Sequence, residues 1–594
     1  MPGIIMDEPL NRKQSQLQTC IAGLLGMGLM WLAHPPVGFS FLAWIAPLPL
    51  LSLVHRNQPL FRRDYVSLWL IGALFWFVAL SGIRHAHPML IPAWIVLAAY
   101  LGIYTPLFVG LTRVAWHGWR MPLVVAAPAV WIGLELARGY ALSGFNGVML
   151  GHTQANLPWM LQIADLGGTY AVSAVVMFVA AAMAVCLHCR RLSGTELSVV
   201  TARRRQVHAI LNGTAVLAAT LGYGLFRLSE ADTVVSPEPM LKVALVQRDV
   251  EAVYEYSERR ELETARKYFS GSRDAVSADP GVQLVVWPES SYTAAMPWRV
   301  LEDDFTVPAD AGVTRSEIIA GVRDSQNMFQ RRAADIQLGL TAASGRTQPP
   351  SLMVGCSVLR YVDGPVQAFS GVVTIDPTGK VPAWYGKRHL VMFGEYIPFA
   401  NWFPWLYTVT PLQMGVTPGD APIVADVKGV KVLPSVCFET MVERVTNRHL
   451  RQLASEGKPA DLVVNVTNDG WFDDSAILEH HRRCSQLVAA AHHTPVLMAA
   501  NGGPTVSIDS SGRVVGSLPH QDESFLIAAP QQDPRVSFYQ RVGDWPARFA
   551  TLLCIALAIS GCRGWRRRKK QLPLPSVESP ADPIGDAGSE PPLV

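Results

Sequence analysis

The sequence predicts a polytopic α-helical membrane bundle carrying a globular α/β domain, and three observations predict it. Of 594 residues, 50% are hydrophobic and 16% charged, an apolar excess over the globular norm. The excess is uneven: residues 14–54 contain no Asp, Glu, Lys or Arg, whereas the stretch from about 229 to 545 has the charge mixture of a soluble domain. Within that later stretch, short β-rich runs alternate with helical patterns, which predicts sheets covered by helices.

A membrane span needs about 20 largely apolar residues. Segments near 16–34, 38–54, 65–83, 88–112, 121–139, 159–187 and 208–228 meet this expectation, and a weaker one lies near 546–562. Arg12 and Lys13 precede the first, as in a secretory signal, but "GMGLMWLAHPP" offers no small-x-small cleavage site and further spans follow at once. It reads as a retained helix. Basic residues then fall in every second loop: Arg12 and Lys13; Arg56, Arg62 and Arg63; Arg113 and Arg120; Arg190, Arg191 and Arg203 to Arg205; and "RGWRRRKK" after the last span. Because Lys and Arg stay cytoplasmic in short loops, eight spans with both termini inside are expected, and the 229–545 segment is expected on the outer side. The implied division is a seven-helix membrane unit (1–228), an extracytoplasmic domain (229–545), a last span (546–562), and a basic then disordered tail (563–594), since "PLPSVESPADPIGDAGSEPPLV" is too rich in Pro and acids to bury a core.

In the domain, "LKVALVQ", "VQLVVWPE", "SLMVGCSVLR", "AFSGVVTID", "VKVLPSVCFE", "DLVVNVTN" and "PTVSIDSSGRVVGSL" read as strands, with helices at 259–269, 315–340 and 477–493. The net charge of +3 is too small to imply a nucleic-acid partner. Eight cysteines are present, of which only Cys356, Cys437 and Cys484 lie in the domain. An odd number there without a CxxC spacing argues against a disulfide framework or a zinc knuckle, and leaves at least one thiol free.

The candidate chemistry lies at strand ends. Cys437 closes the apolar run of "LPSVCFET", Glu289 ends "LVVWPE", and Lys387 follows a strand in "YGKRHLVMFGEYIPF". A thiol becomes a nucleophile only with a base or cation beside it, and a turn after a strand can leave backbone N–H groups free for an oxyanion. The alternative is that Cys437 is one more buried apolar cysteine.

These three segments together resemble the Glu-Lys-Cys arrangement of the nitrilase (carbon-nitrogen hydrolase) superfamily. The resemblance extends through "WYGKRHLVMFGEYIPF", "NVTNDGWF" and, in the membrane part, "WIGLELARGYALSGFNGVMLGHTQANLPWMLQIADLGGTYAVS" to the apolipoprotein N-acyltransferase family, over roughly 16–562. It implies an αββα sandwich, with Glu289 as general base and acid, Lys387 stabilising the oxyanion, Cys437 as nucleophile, Glu395 supporting the site, and Phe438 and Glu439 beside the nucleophile. It further implies a phospholipid acyl donor, a diacylglyceryl apolipoprotein acceptor, a bacterial inner-membrane location with the domain in the periplasm, and no cofactor or metal. A membrane-tethered amidase using water, or a non-catalytic scaffold or transporter, are the rival readings.

The sequence departs from the family pattern in places. Residues 299–350 look longer than usual and read as a lid or an ornament. Phe438 stands where Tyr is usual, and Val488, Ala491 and "MAANGG" (with Met498) replace an R-x-x-E and "R-A-T-N" pattern. The pairs His480–His481 and His492–His493 lack metal-site spacing and read as a solvated helix face. Glu135 and Arg138 share a helix face, as either a functional or a structural pair. Trp402 and Trp405 suit either a loop dipping into the interface or ordinary packing.

Overall fold

The computed structural model describes residues 12–191, 196–253, 257–292, 297–307, 312–400, 402–409, 412 and 415–571. The tail expected to be disordered lies largely outside them, except where the last helix runs on to Gln571.

Six described helices are long and apolar enough to cross a bilayer: Arg12–Ala33, Pro88–Gly118, Leu123–Tyr140, Ala164–Arg190, Val200–Val234 and Trp545–Gly564. The other two expected spans differ. Residues 38–54 form a 3₁₀ turn (Ser40–Trp44) and an eight-residue helix (Leu48–His55), because Pro47, which has no N–H to donate, interrupts the ladder. Residues 65–79 lie in a helix, Arg62–Ala79, whose first turn carries Arg62, Arg63 and Asp64, and the chain then turns into a short helix, Ile83–Ala86. There Asp64 is buried, accepting from Ser15 Oγ (2.9 Å) and the Phe61 N–H (2.6 Å). The last helix packs against Leu123–Tyr140 so closely that a Cβ on Gly133 would lie 2.6 Å from the Ala550 backbone.

The described residues of the domain form thirteen strands in two mixed sheets. These are β1 (Val243–Val246), β2 (Leu284–Trp287), β3 (Trp298–Leu301), β4 (Ser351–Tyr361), β5 (Gln367–Ile375), β6 (Ala383–Gly386), β7 (Ala425–Val427), β8 (Val430–Val436), β9 (Leu462–Asn468), β10 (Val496–Asn501), β11 (Val506–Ile508), β12 (Val514–Ser517) and β13 (Phe525–Ala528). One sheet runs β13-β1-β2-β4-β5-β6 with β3 added on β4, and the other β12-β11-β10-β9-β8-β7. Central strands are buried on both faces, and alternate residues go to different layers. Leu245, Val286 and Met353 meet Val432, Val464 and Leu497 between the sheets. On the outer face of the first sheet, Ala244 and Val285 pack with Tyr268 and Val276 of helix Glu258–Ala278 and with Phe329 and Ile336 of helix Arg315–Ser344. On the outer face of the second, Leu433, Val463 and Val496 pack with Leu450 of helix Glu443–Ser455 and Val488 of helix Ala476–His492. The result is the four-layer αββα sandwich.

This packing corrects the reading of 299–350. Its helix is a layer of the sandwich and not a lid or ornament, since Phe329, Ala333 and Leu340 are fully buried against the first sheet.

Candidate functional site

The three strand-end residues converge. β8 ends at Val436, and Cys437 takes the left-handed conformation (φ 49°) that opens a 3₁₀ turn, Cys437–Thr440. Such a conformation is costly for a residue with a Cβ and clusters at functional sites. It turns the thiol out of the sheet and into a cavity of about 1170 Å³ that Glu289 and Lys387 also line. Glu289 follows β2, and Gly355 of β4 underlies it: a Cβ there would lie 2.3 Å from Pro288 O and 2.5 Å from Glu289 Cα. Lys387 follows β6, its N–H donating to Ser370 O (2.8 Å).

Lys387 is 1% exposed, its Nζ 3.6 Å from Glu289 Oε1 and 2.7 Å from Glu395 Oε1. Burial alone pulls its pKa down, but Glu289, Glu395 and Cys437 outweigh that and hold it well above an ordinary lysine. The two carboxylates thus favour its ammonium form. Glu289 Oε1 accepts from Ser370 Oγ (3.0 Å) and Oε2 from the Asn468 N–H (3.2 Å), so the carboxylate is aimed by both sheets. Glu395 accepts from the Val391 N–H (2.8 Å), and burial, opposed by Lys387, raises its pKa. Burial first, and then the Glu289 charge, push the Cys437 thiol up against the pull of Lys387. The proton therefore rests on sulfur, and its removal needs a base at the moment of attack.

Glu439 explains how the parts stay together. It is fully buried, and its carboxylate accepts from Tyr385 Oη (2.8 Å), the Arg388 N–H (2.8 Å) and the His389 N–H (3.2 Å) on the Lys387 side. From the Cys437 side it accepts from the Val436 N–H (2.9 Å). One carboxylate thus ties the Cys437 turn to the Lys387 loop. Phe438 lies between His389 and Phe145, at ring centroid distances of 6.1 and 6.2 Å.

Sequence reasoning missed the layer behind these residues. Asn465 Nδ2 donates to Cys437 O (3.2 Å) and to Thr440 Oγ1 (2.8 Å). His481 pairs with Thr440 Oγ1 through Nε2 (2.9 Å) and lies 3.4 Å from Asp469 Oδ1 through Nδ1. "NVTNDGWF" holds Asn465, Thr467 and Asp469 in plain view, but their spacing does not show which side chains meet the turn.

The four histidines are not a solvated face. His480, His481, His492 and His493 are between 1% and 3% exposed, because helix Ala476–His492 lies between the second sheet and the membrane bundle and is covered on both sides. Among the described residues no group of three or more His, Cys, Asp or Glu could hold a metal ion. Val488 and Met498 are core residues between that helix and its sheet, and Ala491 packs on Met160 and Leu161 of the bundle. Apolar contacts thus occupy these positions. Glu135 accepts from Trp131 Nε1 and the Leu150 N–H (both 2.9 Å), and Arg138 donates to Gly147 O (3.1 Å) over the Trp76 ring. Both residues fasten the turn that follows their helix. Trp402 and Trp405 are 75% and 59% exposed, so ordinary packing does not account for them.

The cavity is shared between the two halves of the chain: Leu80, Trp94, Leu97, Tyr100 and Phe145 of the helical part wall it opposite Glu289, Lys387 and Cys437. Fold and site together define an enzyme of the carbon-nitrogen hydrolase class mounted on membrane helices. A model of the apolipoprotein N-acyltransferase N-terminal domain matches residues 26–182, and one of carbon-nitrogen hydrolases matches 242–535. A relative from Rhodopirellula baltica, named apolipoprotein N-acyltransferase, is 37% identical over 91% of this chain and 97% of its own length. One of the same name from Geobacter metallireducens is 27% identical over 94% and 96%. The chain belongs to the apolipoprotein N-acyltransferase family. A Nesterenkonia amidase structure of the nitrilase superfamily is 16% identical, covering 53% of this chain and 98% of its own, with a TM-score of 0.33.

Proposed function

We propose that this enzyme moves an acyl chain from a phospholipid to the N-terminal amine of a diacylglyceryl apolipoprotein, through a thioester on Cys437. Glu289 takes the Sγ proton as sulfur attacks the ester carbonyl, and the resulting oxyanion meets the Lys387 ammonium and the Phe438 N–H. The ester C–O bond then breaks, Glu289 returns the proton to the glycerol oxygen, and a lysophospholipid leaves. In the second half, the α-amine attacks the thioester, the C–S bond breaks, and Glu289 carries the amine's proton to the departing sulfur, leaving an amide. Glu395 holds Lys387 in place, and Glu439 holds the Cys437 turn.

The single observation that carries this reading is the shared cavity. An acyl chain needs an apolar wall, and the bundle side chains Trp94, Leu97 and Phe145 supply one facing the thiol. The same wall limits water, which favours an amine over water as second nucleophile and disfavours the amidase reading. The arginine distribution supports a domain at 229–545 on the periplasmic face of a bacterial inner membrane, with membrane units at 1–228 and 546–562 and a cytoplasmic tail at 563–594. Exposed Phe399, Trp402, Phe403 and Trp405 suit a loop resting in the lipid interface.

The test is the covalent intermediate. With phospholipid and no amine acceptor, the protein should carry an acyl group that neutral hydroxylamine removes and that maps to "PSVCFET". Cys437→Ala should abolish it, whereas Cys356→Ala and Cys484→Ala should keep it. Adding a diacylated lipopeptide should discharge it into an N-acyl product seen as a gel shift. Label on Cys484, or a free fatty acid as sole product, would overturn the reading.

A further inference from the structure

His480 is a buried histidine with nothing to bond. It is 1% exposed, and neither ring nitrogen has a hydrogen-bond partner among the described residues. Buried polar groups are rarely left so, because each unpaired one costs its full desolvation. Its neighbours have partners: His481 bonds Thr440 and Asn465, and the one N–H of a neutral His34 donates to a carbonyl oxygen, Met30 O (2.9 Å) or Met149 O (3.1 Å). Lack of a partner alone is not the argument, for His492 shares it while lying against Tyr539, away from the cavity. His480 differs because it lines the cavity that holds Cys437.

Its position relative to the nucleophile follows from the helix. His481 is linked through Thr440 and Asn465 to the Cys437 turn. One residue earlier, about 100° around the helix, His480 turns toward the bundle, its ring 5.9 Å from that of His34. Ile477, three residues back on the same face, also lines the cavity. A polar group is thus set beside apolar wall in the cavity that the thiol also lines. Burial first, and then His34, Arg483 and His152, hold its pKa well below that of an ordinary histidine, so the ring is uncharged, with one N–H donor and one acceptor nitrogen. An uncharged donor suits an uncharged acceptor such as an ester oxygen and gives no preference for a phosphate.

We propose that His480 is a substrate-binding residue that hydrogen-bonds the ester oxygens of a diacylglyceryl group held in the cavity next to Cys437. The inference rests on the acyl-transfer reading above and adds to it a recognition point for the glycerol diester, a group that donor and acceptor share. No bond is made or broken at the imidazole.

The experiment compares His480→Leu, His480→Gln and His492→Leu in the full-length protein. One arm follows acyl-enzyme formation from phosphatidylethanolamine in mixed micelles. The other follows discharge of pre-acylated enzyme by a diacylated lipopeptide. His480→Leu should melt at the wild-type temperature or above, since it replaces an unpaired polar group with an apolar one. In at least one arm its apparent KM should rise roughly 3- to 10-fold, the worth of one hydrogen bond, with kcat within about twofold. The arm that responds identifies the lipid held. His480→Gln, which keeps a donor and an acceptor, should recover most of the KM, and His492→Leu should leave KM unchanged. An unchanged KM for His480→Leu in both arms would overturn the proposal, as would equal losses in the Leu and Gln variants with lowered melting temperatures. A wild-type protein giving neither adduct nor N-acyl peptide would instead overturn the acyl-transfer reading beneath it.

Discussion

Replacing Lys387 by Met separates what the ammonium does for folding from what it does for chemistry. The side chain is buried between two carboxylates, with Glu289 at 3.6 Å and Glu395 at 2.7 Å. Its removal leaves both without their counter-charge, and breaking a buried pair in this way costs about 3–5 kcal/mol. On the proposed mechanism the transition state loses its cation as well, worth roughly 3 kcal/mol, or about a hundredfold or more in kcat. The double variant Lys387→Met/Glu395→Gln distinguishes the two effects. The amide that replaces the Glu395 carboxylate can still accept from the Val391 N–H but carries no charge, so most of the stability should return while activity should not. The pH dependence has a definite sign. In the single variant, the pull of Lys387 on Glu395 is gone while burial and Glu289 still raise its pKa. A carboxyl raised above its unfolded value contributes stability that is complete below the unfolded pKa and is lost as pH rises through the folded one. The melting-temperature gap between Lys387→Met and the wild type should therefore widen as pH rises above the ordinary carboxyl range, and it should narrow in the double variant. Thermal melts in detergent and lipopeptide gel shifts measure both quantities. A single variant with wild-type melting across this range would refute the buried triad, and one with more than about a tenth of normal turnover would refute the oxyanion role.

Other outcomes follow from the same geometry. Glu439→Leu leaves Tyr385 Oη and three backbone N–H groups unpaired in the interior; at about 1–3 kcal/mol each, the loss approaches the whole stability of a typical domain, and the variant should fail to accumulate folded, whereas Glu439→Gln should accumulate with reduced activity. Gly355→Ala places a methyl 2.3 Å from Pro288 O and 2.5 Å from Glu289 Cα, so it should lower kcat at least about tenfold through a displaced base while leaving acyl-chain preference unchanged; normal kcat would show that Glu289 tolerates displacement. A reporter active only outside the cytoplasm should work when fused near residue 235 or 530 and fail near 60 or 195, and the reverse pattern would invert the domain's orientation.

Much of this architecture is legible because it is written in composition and period. Charge-free stretches mark the long helices, and apolar runs ending at Glu289, Lys387 and Cys437 mark strands whose ends meet at one cavity. What is not legible has physical reasons. β3, β7 and β13 have three or four residues each and lie in no longer β-rich run from which a period could emerge. β10, "VLMAAN", is buried on both faces and so shows no alternation. The broken second span is signalled by Pro47 and Pro49, which mean hydropathy does not register. Residues 315–340 announce a helix but not a sandwich layer, since the partners of that helix lie across a sheet from a distant part of the chain. The histidines mislead for a related reason. An amphipathic pattern reports whether one face is polar, and a helix wedged between a sheet and a membrane bundle can bury that polar face too. Burial of His480 and His481 is thus decided by the docking of two units, a contact that no local window contains. The same docking encloses the cavity, so the feature that carries the functional reading is the one least visible in the sequence. Glu439 is the exception that shows what a local signal can do: two residues after Cys437, at the third position of its turn, a carboxylate can reach back to the N–H before the turn. Its reach across to the Lys387 loop needs the β5–β6 hairpin folded beside β8, and that is tertiary information.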